Sequence, residues 1–239
     1  MACFETAFYL DVPVPEQAPL SKQALHRYGY DGLSFEAVID ALPVIDARAA
    51  GGRTIVVHIG DAVSLCALAG GRRVAMVMAF GDPEGWPAMR SPGLDRGLVR
   101  HLMTDSRMGS LQVRELLRQR SALLGASGDA LDRLVCSDEP RARLVVGFLR
   151  YRVSRALESL VGALAGLDAI VFTAAGGPHA VPIRAAICRK ASALGLDLDP
   201  AANQAGGPRL TLPGSHVTAW VIPIDKHLLL ARRRQTFLG

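Results

Sequence analysis

Thr54–Phe80 reads TIVVHIGDAVSLCALAGGRRVAMVMAF. The apolar run Ile55–Val57 ends in His58-Ile59-Gly60-Asp61, and the stretch predicts three strands: Thr54–His58, Ser64–Leu68 and Arg73–Ala79. The last two form a hairpin across Gly70-Gly71, because consecutive glycines supply the turn between two apolar runs. A strand that stops at a small polar turn can bring backbone N–H groups up to a phosphate. Taken alone, this turn is a weak signal. His58 at a strand end suits a satisfied structural histidine as well as a phosphate contact, and Asp61 suits a cap for the segment after it.

Strands and helices alternate on either side of this stretch. Pro13, Pro15 and Pro19 exclude a long helix near the start, and Ser34–Leu42 reads as a short helix after the turn at Tyr30-Asp31-Gly32. Gly81–Asp95 is a Pro/Gly-rich loop carrying Trp86 and Arg90. Helices are expected over Gly97–Thr104 and over Leu111–Leu124, the second capped by Ser110. The longest helix should run from about Asp138 to Leu164, with Ser137 as N-cap. Val145, Leu149, Val153, Leu157, Leu160 and Leu164 repeat there at helical spacing, so one face is core. A short buried strand, Asp168–Phe172, leads to the turn Ala174-Ala175-Gly176-Gly177, where the glycines by themselves need only make a strand-to-helix turn. A helix over Ala180–Leu194, a strand over His216–Ile222 and a closing helix over Lys226–Phe237 complete an α/β layered pattern.

Composition narrows the function classes. With 50% hydrophobic and 21% charged residues, a 239-residue chain can bury a substantial core. No apolar run reaches the roughly 18 residues that span a bilayer, and MACFETAFYL does not read as a secretion signal. Cys3, Cys66, Cys136 and Cys188 lack CxxC spacing, which argues for reduced thiols in the cytoplasm rather than a metal cluster. The net charge of +5 is spread along the chain, and its one dense cluster, Arg232-Arg233-Arg234, suits a solvated helix end. Without interleaved aromatics to stack bases, no nucleic-acid partner is expected. His179 and His227 have no companion at ligand spacing, so no protein metal site is expected either.

Motifs along nearly the whole chain resemble those of the acetate kinase family, in the same order. Phe4-Glu5-Thr6-Ala7-Phe8 resembles FDTAFH, and Tyr28–Ser34 resembles YGFHGTS, with Asp31 at a histidine position. His58–Ala62 is similar to the phosphate turn HLGNG, with Asp61 at its Asn and Ala62 at its second Gly. Ala88-Met89-Arg90 resembles part of MGTRxGxID, and Ser121–Gly128 resembles SGLLGLSG. Asp168–His179 resembles DALVFTGGIGEN, with Pro178-His179 at Glu-Asn, and Val221–His227 resembles VIPTDEE, with Lys226 at a magnesium-linked Glu. Gly195–Ala205 is close to a family stretch without a direct catalytic role.

The resemblance implies an actin-like, ribonuclease-H-like α/β fold over residues 1–239, corresponding to the family's C-terminal, nucleotide-side and dimerisation domain. It implies transfer of a phosphoryl group from ATP, with Mg²⁺, to acetate or another short carboxylate, giving ADP and acyl phosphate. Arg90, Glu5 and Asp31 would then face the phosphoryl site. His58, Gly60, Asp61, Asp132, Gly176 and Gly177 would border the nucleotide.

The departures alter that chemistry. Asp31 puts an anion where charged oxygens need a donor, and Lys226 removes an oxygen ligand for Mg²⁺. Ala62 adds a methyl at a close backbone approach, and Glu5 moves a carboxylate by about 1 Å. Family members begin with a stretch of the type NAGSSSLK, whereas here Met1 stands just before the first matching motif. Impaired stand-alone catalysis is therefore expected. The alternatives are a non-catalytic nucleotide-binding or assembly module and one half of a split kinase completed by a separate chain, with a homodimer under either.

Overall fold

The computed structural model describes residue 8 and residues 31–60, 63–80, 96–113, 137–173, 180–224 and 231. Glu5, Asp61, Ala62, Arg90, Asp132, Gly176, Gly177 and Lys226 lie outside these residues, as do most of the helices expected over 111–124 and 226–237. In chain order the elements are α1 (Gly32–Ile45), α2 (Ala47–Gly51), β1 (Arg53–Ile59), β2 (Val63–Ala69), β3 (Arg72–Phe80) and α3 (Arg96–Thr104). There follow α4 (Pro140–Leu164), β4 (Ala169–Thr173), α5 (Ala180–Lys190) with a 3₁₀ turn over Ala191–Leu194, α6 (Pro200–Ala205) and β5 (Thr218–Val221).

The five strands form one mixed sheet in the order β3-β2-β1-β4-β5. The β1–β2 and β2–β3 pairs are antiparallel, whereas β4 runs parallel to β1 and β5 parallel to β4. Gly70 and Gly71 turn the β2–β3 hairpin at φ 57° and 73°. Two consecutive left-handed residues make the turn whose twist matches its strands.

Each strand alternates its side chains between two apolar layers. Ile55, Val57 and Ile59 of β1 pack with Leu65, Ile170 and Phe172 against Leu149, Val153, Leu157 and Leu160 of α4 and Ile183 and Ile187 of α5. Val56 joins Cys66, Leu68, Ala169 and Val171 on the opposite face, under Phe35, Val38 and Leu42 of α1 and Ala49 of α2. The sheet is thus covered on both faces, as its nearly continuous apolar strands require. The expected apolar stripe of α4 is buried at Leu149, Val153, Leu157, Leu160 and Leu164, while the Val145 side chain lies outside the described residues.

Helix starts depart from the sequence expectations. α1 begins at Gly32 rather than Ser34, because Asp31 adopts left-handed backbone (φ 62°) and its carbonyl accepts the Ser34 and Phe35 N–H groups at 2.9 and 3.1 Å. It also runs past Pro43 to Ile45, with Asp46 N–H donating to the Leu42 carbonyl at 2.8 Å. α4 has Glu139 as N-cap and Pro140 in its first turn; Ser137 instead accepts the Glu139 N–H at 3.2 Å. Ser110 is already helical, one residue beyond its expected capping position. The helix expected over Ala180–Leu194 tightens to a 3₁₀ turn at Ala191, and α2 and α6 are short helices without an apolar period to announce them. Each of those two is capped by an aspartate: Asp46 accepts Ala49 N–H, and Asp199 accepts the Ala201 and Ala202 N–H groups.

Polar ties hold the layers in place. Arg184, buried in α5, donates to Asn203 Oδ1 at 2.9 Å and to the Asn203 carbonyl at 2.8 Å, while Asn203 donates to the Val181 carbonyl. Burial lowers the pKa of that guanidinium, and burial pushes the neighbouring Cys188 thiol up to about 12. Asp46 accepts from Thr218 Oγ1 at 2.9 Å and Trp220 Nε1 at 3.0 Å, tying the α1–α2 junction to β5. Burial works to raise the Asp46 pKa, but hydrogen bonds from Ala49, Thr218, Trp220 and Arg48 outweigh it and hold the carboxyl below its ordinary value.

Asp168, just before β4, accepts from Arg53 at the start of β1 through Nε, Nη2 and the backbone N–H, at 2.8–2.9 Å. The Arg53 hydrogen bond is the main reason its pKa falls from 3.8 to about 2. A carboxyl depressed in the folded state contributes stability above its unfolded pKa and loses it as pH falls through the folded value. Between about pH 4 and pH 2 the wild type should therefore lose stability that Asp168→Asn does not lose. At neutral pH the same substitution should cost about 1 kcal/mol after solvent screening, read by urea denaturation across that pH range.

Candidate functional site

The pleat and the register set the site. His58, near the end of β1, pairs with Ser64 of β2 on one side and with Thr173 of β4 on the other. The three form a row across the sheet on the face that carries Val56, Cys66 and Val171, the face covered by α1. Asp31 meets this row, the Ser64 hydroxyl donating to Asp31 Oδ2 at 2.7 Å, and Ser34 lies three residues further on, in the first turn of α1. Asp31 Oδ1 stands 3.4 Å from His58 Nε2.

All five side chains are largely sequestered. Ser34, Ser64 and Thr173 are fully buried and His58 is 7% exposed, which is unusual for so polar a group in an otherwise apolar sheet. Ser34 Oγ and Thr173 Oγ1 have no hydrogen-bond partner. A buried hydroxyl without a partner costs about 1–3 kcal/mol, so two in this part of the fold indicate a place prepared for a polar ligand. The row lies at the carboxyl ends of the parallel strands β1 and β4, where open α/β sheets bind ligands.

Gly60 is part of the same geometry. A Cβ built on it would lie 3.1 Å from His58 Nε2 and 3.6 Å from Cδ2. The missing side chain leaves the imidazole edge in contact with Asp31 rather than with a methyl group. His58 Nδ1 is sealed from solvent, so Nε2 is the ring nitrogen that faces the site.

Of the site residues expected from sequence, His58, Gly60 and Asp31 come together here. His58, expected to border the nucleotide, and Asp31, expected to face the phosphoryl group, stand 3.4 Å apart. Glu5, Asp61, Arg90, Asp132, Gly176 and Gly177 lie outside the described residues. Ser34, Ser64 and Thr173 were not anticipated as site residues. Ser64 is accessible in principle, because an antiparallel β1–β2 pair with Ile59 opposite Val63 sets His58 opposite Ser64. Thr173 carries no such local signal, since its neighbour in the sheet is distant in sequence.

Mg²⁺ finds no ready ligand set among the described residues. No three His, Cys, Asp or Glu side chains are grouped to hold a metal there. Nor is any helix among them long and apolar enough to cross a membrane.

The acetokinase family model matches residues 1–232. The chain belongs to the acetokinase family. Acetate kinase from Rhodopseudomonas palustris strain TIE-1 is 40% identical over 243 residues, covering 97% of this chain and 61% of that protein. Acetate kinase from Nitrobacter hamburgensis is 36% identical over 248 residues, with 100% of this chain and 61% of the relative covered. The crystal structure of Porphyromonas gingivalis acetate kinase superposes with a TM-score of 0.81 at 25% identity, over 99% of this chain and 63% of that one. The mixed sheet is accordingly the actin-like, ribonuclease-H-like sheet of the acetokinase family. The chain spans about three-fifths of the length of the relatives it matches.

The packing around Gly60 yields a direct test. Gly60→Ala should force the nearly buried imidazole off Asp31, lowering stability by roughly 1 kcal/mol and shifting the His58 ring resonances in a ¹H–¹³C NMR spectrum. An unmoved His58 signal would show that the imidazole does not depend on that gap.

Proposed function

We propose that this chain binds the phosphates of ATP or ADP at the carboxyl ends of β1 and β4, within a phosphotransferase scaffold of the acetate kinase type. The carrying observation is the row Ser64–His58–Thr173, which sets three buried polar side chains side by side at the ends of neighbouring strands. Ser34 and Thr173 offer hydroxyl donors, and His58 offers a ring nitrogen. The scaffold's ancestral reaction passes the γ-phosphoryl group of ATP to an oxygen of acetate or another short carboxylate. The bond from phosphorus to the β,γ-bridging oxygen breaks, the new O–P bond forms, and ADP leaves with acyl phosphate as the other product.

Turnover by this chain alone is impaired on this reading. Phosphoryl transfer depends on donors and cations around the equatorial oxygens, and Asp31 places a carboxylate beside the one imidazole in the row. That contact also favours the second reading, a nucleotide-binding or assembly module without catalysis. Among the described residues no metal-ligand group accompanies the row, so no step is assigned to Mg²⁺. Arg90, Glu5, Asp61, Asp132, Gly176 and Gly177 complete the proposal as phosphoryl-facing and nucleotide-bordering positions. The proposed unit is the family's C-terminal-type domain over residues 1–239, with a separate chain as the candidate supplier of the other wall.

Self-association is part of the proposal. Leu144, Phe148 and Tyr151 are 75%, 51% and 56% exposed along one side of α4, an apolar stripe suited to a second copy. Sedimentation velocity should give a dimer for the wild type and a monomer for Phe148→Asp. A cytoplasmic setting fits the buried free thiols of Cys66 and Cys188.

Millimolar ADP should raise the melting temperature of the chain. With ATP, Mg²⁺ and acetate, acyl phosphate trapped as hydroxamate should stay close to the enzyme-free background. Absence of any ADP-dependent shift sinks the nucleotide reading, and vigorous hydroxamate formation by this chain alone sinks the impairment.

A further inference from the structure

We propose that Asp31 is a built-in anion that stands at the ligand-facing nitrogen of His58 and so lowers the affinity of this site for phosphate groups. The inference rests on the nucleotide-phosphate reading given above and adds the residue that tunes it. Three observations carry it.

The first is that the carboxylate is held by one oxygen and meets His58 with the other. Oδ2 accepts the Ser64 hydroxyl at 2.7 Å while Oδ1 lies 3.4 Å from His58 Nε2. Asp31 is also the residue on which α1 starts, its carbonyl accepting two helix N–H groups, so its position follows the helix. The carboxylate is therefore a fixed part of the site rather than a mobile surface group. A negative charge at a helix start is additionally favoured by the helix dipole.

The second observation concerns the imidazole. Nδ1 is sealed from solvent, which leaves Nε2 as the nitrogen through which His58 can meet a ligand. Asp31 already stands at that nitrogen. A phosphate oxygen approaching Nε2 must either displace the carboxylate or lie beside it as a like charge, and both lower its affinity.

The third is the backbone. Asp31 holds φ 62°, a conformation that Asn shares with Asp and that Gly adopts freely. Its charge can therefore be removed without changing the turn. Asp31→Asn keeps the shape and hydrogen-bonding reach of the side chain, and Asp31→Gly clears the space altogether.

The test is calorimetric titration with ADP and with inorganic phosphate, both without metal. The proteins are the wild type, Asp31→Asn, Asp31→Gly, His58→Ala and the double variant Asp31→Asn/His58→Ala, with thermal melts confirming folding. The expected result is at least tenfold tighter binding of both probes by Asp31→Asn and Asp31→Gly, with the gain lost in the double variant. If one single variant fails to fold, the other decides. Unchanged or weaker binding by the charge-removed variants, where the wild type binds ADP, overturns the proposal and leaves the nucleotide reading standing. A gain that persists in the double variant also overturns it, because the effect then does not pass through His58. No ADP binding by any of the five proteins overturns both.

Discussion

The parallel pairing of β1 with β4, pinned at its start by Arg53 and Asp168, is the constraint on which the rest of the structure depends. Asp168 takes hydrogen bonds from the Arg53 side chain and backbone, and its own N–H donates to the Arg53 carbonyl. That reciprocal contact sets Thr54 opposite Ala169 and carries the register forward to His58 opposite Thr173. Side chains alternate across a strand, so a slip of β1 by one residue would send His58 into the layer under α4 and part it from Thr173. The salt bridge at one end of β1 therefore determines what chemistry is available at the other.

The polar row is affordable because the rest of the sheet is so apolar. Among the described residues, twenty-five buried apolar ones form the layer shared by the sheet with α4 and α5, and ten the layer shared with α1 and α2. Against that background the polar atoms at the strand ends are satisfied in part: the Ser64 hydroxyl, Asp31 and His58 interact, while the Ser34 and Thr173 hydroxyls have no partner. The arrangement is unequal, with a carboxylate–imidazole contact at one position and hydroxyls without hydrogen bonds at others. Such a place can favour a ligand that supplies the missing partners and disfavour one that brings a second negative charge to His58.

Much of the fold was legible in the linear pattern. The strands of Thr54–Phe80, the Gly70-Gly71 hairpin and the buried face of the long helix rest on local periodicity and on turn chemistry, which short-range sterics enforce. The expected helix starts missed by two residues where a proline or a left-handed residue altered the cap, as at Pro140 and Asp31. α2 and α6 were missed because helices of five and six residues have too few turns to show an apolar period. At the site, His58 and Gly60 announced themselves through the polar turn, but Ser34, Ser64 and Thr173 are ordinary small polar residues whose role appears only once strands are aligned.

The sequence by itself determined the alternation of strands and helices, the apolar stripes that bury them and the family to whose motifs they correspond. Those follow from side-chain period and from glycine and proline at turns, interactions that reach only a few residues along the chain. Tertiary structure alone decided that Asp31 and His58 touch. They are separated by the whole of α1 and α2 and meet because α1 is laid over the face of β1 on which His58 projects. The HIGD turn therefore marked the place, and long-range packing supplied the carboxylate that gives it its charge.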